Sequence, residues 1–230
     1  MKLSIIIPVY NEEKSILKII KKCEAVDLSP LNFEKEIIIV DDGSTDNTRP
    51  LLQNIKNHKV IFHEKNLGKG AAIKTALNYV TGDYVIIQDA DLEYDPNDYL
   101  PILECAIKNN ASVVYGSRYL AMKKNKGSFL NYFGRIFLTR LANLLYKTNI
   151  TDINTCYKLF KTDLIKSFNL ESRGFEFCAE VTAQTAKRKI PIFEVPIKYF
   201  PRNIKEGKKL KWFKHGFQFI LKMVRYKILK

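Results

Sequence analysis

The sequence is poor in the residues that build zinc sites and disulfide scaffolds. Its four cysteines (Cys23, Cys105, Cys156 and Cys178) are scattered with no CxxC pair, and its three histidines show no metal-ligand spacing. Both absences point to reduced thiols in a cytosolic setting. Long apolar runs are also missing. Met1–Pro8 is too short for the apolar core of a signal peptide and lacks a small-residue cleavage site. No window reaches the roughly 20 apolar residues that a membrane-spanning helix needs. Repeats and low-complexity tracts are absent. The expectation is one domain over residues 1–230, since 46% hydrophobic residues suffice for a single core.

Charge is abundant and unevenly placed. Residues 1–115 carry 13 Lys+Arg against 17 Asp+Glu, and residues 116–230 carry 25 against 7, which together give the net +14. A mildly acidic half joined to a strongly basic one suggests that the second half faces a polyanion. Nucleic acid, an anionic membrane and a phosphorylated substrate all meet that description.

The stretch Tyr84–Pro96, YVIIQDADLEYDP, organises the rest. A short apolar run that stops at polar residues reads as a strand buried on both faces. Asp89 and Asp91 stand one residue apart at its end, on one side of an extended backbone. Like charges so placed repel unless a cation lies between them. Mg²⁺ and Mn²⁺ take oxygen ligands, and Mg²⁺ is usually held by one or two carboxylates plus substrate phosphates. The alternative is a solvated loop or a helix cap. Asp95-Pro96-Asn97-Asp98 accounts for two of the acids as a cap with Pro at the first helical position, and leaves Asp89, Asp91 and Glu93 unexplained.

Around this strand, strand and helix signals alternate. Strands are expected at Leu3 to Pro8, Glu36 to Val40, Lys59 to Phe62 and Ser112 to Tyr115, with helices from Asn11 to Val26, to Ile55, to Val80 and from Pro96 to Asn109. That alternation implies an α/β fold with a largely parallel sheet flanked by helices. Ligands then belong at the carboxyl ends of the strands. The second half reads less regularly, with helices at Arg135 to Tyr146, Phe175 to Lys187 and Lys211 to Leu229, and strand character at Asp152 to Phe160 and Pro191 to Phe200.

Taken in order, IIIPVYNEE (5–13), IIIVDDGSTDNT (37–48), NLGKGAAI (66–73), GDYVIIQDADLEYDP (82–96), GSRY (116–119), TDINTCYKLF (151–160), GFEF (174–177) and YFPRNIKEGKKLKW (199–212) resemble the family 2 glycosyltransferases of the GT-A fold. Within that family they are most similar to the dolichyl- and polyprenyl-phosphate sugar synthases. The resemblance implies a nucleotide-sugar-binding half over 1–115, an acceptor-binding half over 116–210 and a basic amphipathic helix over 211–230. It implies that Pro8, Tyr10, Glu12, Val40 and Asp42 line the nucleotide pocket, and that Asp89 and Ala90 contact the sugar-nucleotide. Asp91 would ligate Mg²⁺ or Mn²⁺ across the diphosphate, with Glu93 at the second ligand position, where mannosyl-transferring members tend to carry Gln. Arg118 and Arg135 match phosphate-binding positions near the transfer point. Arg202 and Lys208, either side of Asn203–Gly207, resemble the segment that in the family closes over the donor.

The activity so implied is inverting transfer of mannose or glucose, from GDP-mannose or UDP-glucose, to a polyprenyl or dolichyl phosphate. Asp91, Arg118 and Arg202 are its expected catalytic residues. An ionised acceptor phosphate needs no general base; Glu176 and Glu180 lie where one would come from, and are expected instead to organise the acceptor region. Transfer to a glycan hydroxyl is the alternative within the family, and a nucleic-acid-binding protein is the alternative outside it. The latter leaves three acidic strand ends without purpose, so nucleic acid is not the expected partner.

The C-terminal helix bears on the acceptor. Phe213, Phe217, Ile220, Val224 and Ile228 share helical spacing, with Lys211, Lys214, Lys222 and Arg225 on another side. Spanning a bilayer would cost about 2.5–3.5 kcal/mol for each basic residue near its centre, whereas lying flat gains roughly 1 kcal/mol apiece from an anionic leaflet. The expectation is peripheral attachment at the cytoplasmic face of a membrane, with packing on the core as the alternative. Whether a separate membrane-anchoring subunit takes part is left open.

Overall fold

The computed structural model describes residues 1–121, 129–202 and 212–228. Residues 203–211, Lys208 and Lys211 among them, lie outside them, as do the side chains of Phe213, Lys214 and Phe217. Seven strands form one sheet: β1 (Lys2–Val9), β2 (Glu34–Asp41), β3 (Lys59–Phe62), β4 (Tyr84–Ile87), β5 (Val113–Ser117), β6 (Lys158–Lys161) and β7 (Phe193–Pro196). Their spatial order is β3-β2-β1-β4-β6-β5-β7. All run parallel except β6, which pairs antiparallel with β4 and β5. The chain leaves β1 towards β2 and β3, then returns past it to β4, so the crevice where strand order reverses lies between β1 and β4.

The strand sequences explain this placement. Leu3–Val9 and the whole of β4 are buried residue after residue, as continuous apolar runs covered on both faces should be. The edge strands β3 and β7 hold Lys, Glu and Pro and stay half-exposed.

Helix α1 (Ile16–Ala25) starts later than Asn11, the expected position. The intervening turn directs its backbone donors to the segment after β2: Asn11 N–H on Ser44 Oγ at 2.9 Å and Glu12 N–H on Thr48 Oγ1 at 2.8 Å. Asn11 adopts a left-handed φ of 51°, so the first turn is a clamp on the β2 exit. Asp95 does accept from Asn97 N–H at 3.1 Å, as a cap should. Helices α2 (Thr48–Gln53), α3 (Lys69–Leu77) and α4 (Tyr99–Lys108) fill the remaining connections.

The second half adds short α5 (Arg118–Ala121), α6 (Phe129–Tyr146), short α7 (Thr162–Lys166), α8 (Phe177–Lys187) and α9 (Trp212–Ile228). Helix α9 packs on α6 and α8, burying Phe219, Met223 and Tyr226. Tyr146 O–H donates to the Met223 carbonyl at 2.5 Å, and Lys187 Nζ to that of Tyr226 at 2.8 Å. Its other face differs: Leu221, Val224 and Ile228 are exposed, as are Phe137 and Leu144 on α6. Lys222, expected on a free basic face, instead lies 3.6 Å from both Glu171 and Glu180. Among the described residues no helix is long and apolar enough to cross a membrane.

Candidate active site

The carboxyl ends of β1, β2 and β4 open into a cleft of about 490 Å³, lined also by Arg118, Gly174, Phe175, Cys178, Tyr199, Arg202 and residues of α6 and α9. Pro8, Tyr10, Glu12, Asp42, Asp89, Ala90, Asp91, Glu93, Arg118, Arg135 and Arg202 all line it. Val40 does not. It is fully buried in β2 opposite Pro8, because a side chain one residue before the strand end points into the core.

Asp42 reaches the cleft with its carboxylate engaged. It accepts from His63 Nδ1 at 2.8 Å and from the N–H groups of Leu67 and Gly68 at 2.9 and 2.8 Å. The turn it holds needs glycine: Gly68 has φ 99°, and a Cβ there would meet the Arg173 carbonyl oxygen at 2.3 Å. Asp41 is structural, bonding Ser44 N–H and Arg49 Nε.

At the β4 exit the carboxylates take different partners. Asp89 bonds the Lys69 ammonium, which also lies 5.7 Å from the Phe175 ring centre. Burial pushes the Asp89 carboxyl up, but Lys69 outweighs it and holds Asp89 below the usual carboxylate range. Asp91 has less compensation. Its Oδ1 accepts from Glu93 N–H at 3.1 Å and its Oδ2 from Arg202 Nη2 at 3.2 Å. Burial, then the charges of Asp89 and Glu93, push it up to about 7 against the pull of Arg202.

Glu93 is committed elsewhere. Its Oε2 accepts from Tyr199 O–H and its Oε1 from Arg202 N–H, both at 2.9 Å, while Phe200 N–H reaches its carbonyl at 2.8 Å. The carboxylate expected as a second metal ligand therefore fastens the 199–202 strap to the β4 exit. Arg202 then lays its fork on Glu12, with Nη1–Oε2 at 3.0 Å and Nη2–Oε1 at 3.2 Å.

Arg118, also in the cleft lining, is buried and doubly paired with Asp152, Nε–Oδ2 at 2.6 Å and Nη2–Oδ1 at 2.7 Å. Arg135 projects from α6 into the same wall. Glu176 accepts from Arg173 and Gly174 N–H, and buried Glu180 from Glu171 and Ser172 N–H. Both acids organise the 171–174 loop, and neither lines the cleft. Lys69 and Asp152 lie inside motifs that the sequence displays, but their partners are 20 and 34 residues away.

A divalent cation fits the β4 exit. Asp91 is a crowded carboxylate short of positive charge, which is what a cation would relieve. Among the described residues no three His, Cys, Asp or Glu side chains are grouped to hold a metal alone. The remaining ligands would have to be phosphate oxygens and water, the usual arrangement for Mg²⁺.

The sheet and the acid-and-arginine cleft at its switch point are those of a GT-A glycosyltransferase. Glucosyl-3-phosphoglycerate synthase of Mycobacterium tuberculosis, crystallised with Mn²⁺, UDP and phosphoglyceric acid, superposes with a TM-score of 0.71 at 20% identity, covering 100% of this chain and 79% of that one. The chain belongs to glycosyl transferase family 2, whose model matches residues 4–168. A low-salt glycan biosynthesis hexosyltransferase of Haloferax volcanii is 27% identical over 87% of this chain and 48% of its own length. A second glycosyltransferase of that organism is 29% identical over 86% and 63%. The chain thus spans about half and just under two thirds of these two relatives. The UDP-N-acetylglucosamine–dolichyl-phosphate N-acetylglucosaminyltransferase of Methanococcus voltae is 33% identical over 84% of each chain.

Proposed function

We propose that this glycosyltransferase moves a sugar from a nucleoside-diphosphate donor to a polyprenyl phosphate, with inversion and with Mg²⁺ or Mn²⁺ bound. The observation that carries the reading is that Asp91 at the β4 exit shares one cleft with Arg118 and Arg135. That arrangement supports holding a diphosphate and a second phosphate in the same cleft. The Methanococcus voltae relative, which by its name acts on dolichyl phosphate, supports the acceptor class. Mannose and glucose were the sugars expected from sequence; that relative's name adds N-acetylglucosamine to the donors worth assaying.

In this reading Asp91 holds the cation, which when bound offsets charge growing on the leaving diphosphate. Arg202 swings its fork from Glu12 and Asp91 to donor phosphate, for which its planar donors are suited. Arg118 and Arg135 orient the acceptor phosphate, whose ionised oxygen attacks the anomeric carbon as the nucleoside diphosphate departs. No protein base is needed, which agrees with Glu176 and Glu180 being spent on a loop. The exposed apolar residues of α6 and α9, with exposed Arg140, Arg225 and Lys227 on the same helices, support attachment to an anionic membrane surface, and the cytoplasmic face is the side we propose.

The test is incubation of purified protein and Mn²⁺ with UDP-N-acetylglucosamine, UDP-glucose or GDP-mannose, each with phytanyl phosphate or a free oligosaccharide. A lipid-phosphate-linked sugar from one donor is expected. Transfer to the oligosaccharide alone would establish the hydroxyl-acceptor alternative.

A further inference from the structure

Arg118 is held unusually firmly for a side chain at the wall of a ligand cleft. Asp152, fully buried, accepts from Nε, from Nη2 and from the Arg118 backbone N–H at 3.2 Å. The guanidinium is stacked over Tyr199, 5.1 Å from the ring centre. Asp152 is fixed in turn. Glu194 in β7 accepts from the N–H groups of Thr151 and Asp152 at 2.7 and 3.1 Å. Thr151 Oγ1 lies 2.6 Å from Ser117 Oγ, and buried Lys158 donates to the Ile153 carbonyl at 2.9 Å. Of the three guanidinium nitrogens of Arg118, Nη1 is the one with no hydrogen bond to the described residues, on a side chain that lines the cleft.

A buried ion pair is a poor way to gain stability, since apolar residues of the same volume often do as well. What it supplies is an orientation. We infer that Asp152, braced by Glu194, is a positioning residue that aims the remaining edge of Arg118 at the phosphate undergoing transfer. This rests on the phosphate role proposed above for Arg118. Sites held by such a supporting shell lose function when the shell loosens, even with every contacting group in place.

The test is a double-mutant cycle on the whole chain, using the donor that serves the wild type and phytanyl phosphate as acceptor. Asp152→Asn is expected to lower kcat/KM on the order of 10–100-fold, the range known for outer-shell partners of metal ligands. In an Arg118→Ala background the same change should alter kcat/KM by less than about twofold, because the group it aims is gone. Glu194→Gln leaves the ion pair intact and carries the same test should Asp152→Asn fail to fold; its smaller loss should also vanish in Arg118→Ala. Losses that multiply in the double variant, or an Asp152→Asn enzyme with wild-type kcat/KM, overturn the inference. Wild-type turnover by Arg118→Ala would instead remove the phosphate role itself and the inference with it.

Discussion

The Arg202 guanidinium joins two strand ends that are otherwise separate: Nη2 lies 3.2 Å from Asp91 Oδ2 after β4 and 3.2 Å from Glu12 Oε1 after β1. Without ligand, this arginine supplies part of the positive charge that the acids need. The donor and its cation would take over that task and free the fork for phosphate.

Replacing Arg202 with Ala should therefore reduce transfer by about 10²-fold, the size of one lost transition-state donor. Arg202→Lys should recover only part of it, since an ammonium cannot bridge two groups as a fork does. Steady-state kinetics with the active donor check both. Equal activity of Lys and Arg enzymes would reduce the contact to a point charge.

Asp91 links activity to pH. Its carboxyl titrates near 7 in the folded chain against 3.8 ordinarily, so the native state binds the extra proton between those values. Stability from this group is present at low pH and lost as pH rises towards 7 and beyond. In EDTA, Asp91→Asn should thus melt higher than wild type at pH 8, by about 2–4 °C per kcal/mol relieved, with no gain at pH 4. Cation affinity should fall as pH drops below 7, because the proton competes for the same oxygens. Calorimetry across that range checks both signs.

Glu93 separates strap from ligand. Glu93→Gln should leave Mn²⁺ affinity within about threefold of wild type, while amide exchange at Phe200 and Arg202 quickens as charge-assisted bonds weaken. Loss of Mn²⁺ affinity as large as in Asp91→Asn would restore Glu93 as a metal ligand.

Much of this was legible in the sequence because it is local. Continuous apolar runs ending in Asn, Asp or Glu mark both the central strands and the site, and eleven of the twelve described positions expected to bind substrate or metal line one cleft. Val40 departs because strand alternation turns it inward. Less accessible were features set by pairing over distance. The reversed direction of β6 leaves no mark in a four-residue strand. Lys69 and Asp152 look like any motif residue until the sheet brings Asp89 and Arg118 beside them. Helix α9 shows why two expectations for one amphipathic helix were both reasonable. Phe219, Met223 and Tyr226 meet the core, and Leu221, Val224 and Ile228 do not.

That second face gives a membrane prediction. The protein should float with vesicles containing phosphatidylglycerol at low salt and release as salt rises. Leu221→Asp with Ile228→Asp should abolish flotation and leave the melting temperature nearly unchanged, as both side chains are exposed. Flotation by the double variant equal to wild type would assign the surface another partner.

The central claim is that Asp91 carries the cation on the donor diphosphate. Electron paramagnetic resonance of Mn²⁺, titrated with UDP or GDP into wild type and Asp91→Asn at pH 8, tests it directly. A bound-Mn²⁺ spectrum that needs both nucleotide and the Asp91 carboxylate is the expected result. An Asp91→Asn protein that binds Mn²⁺ and nucleotide as tightly as wild type would contradict it.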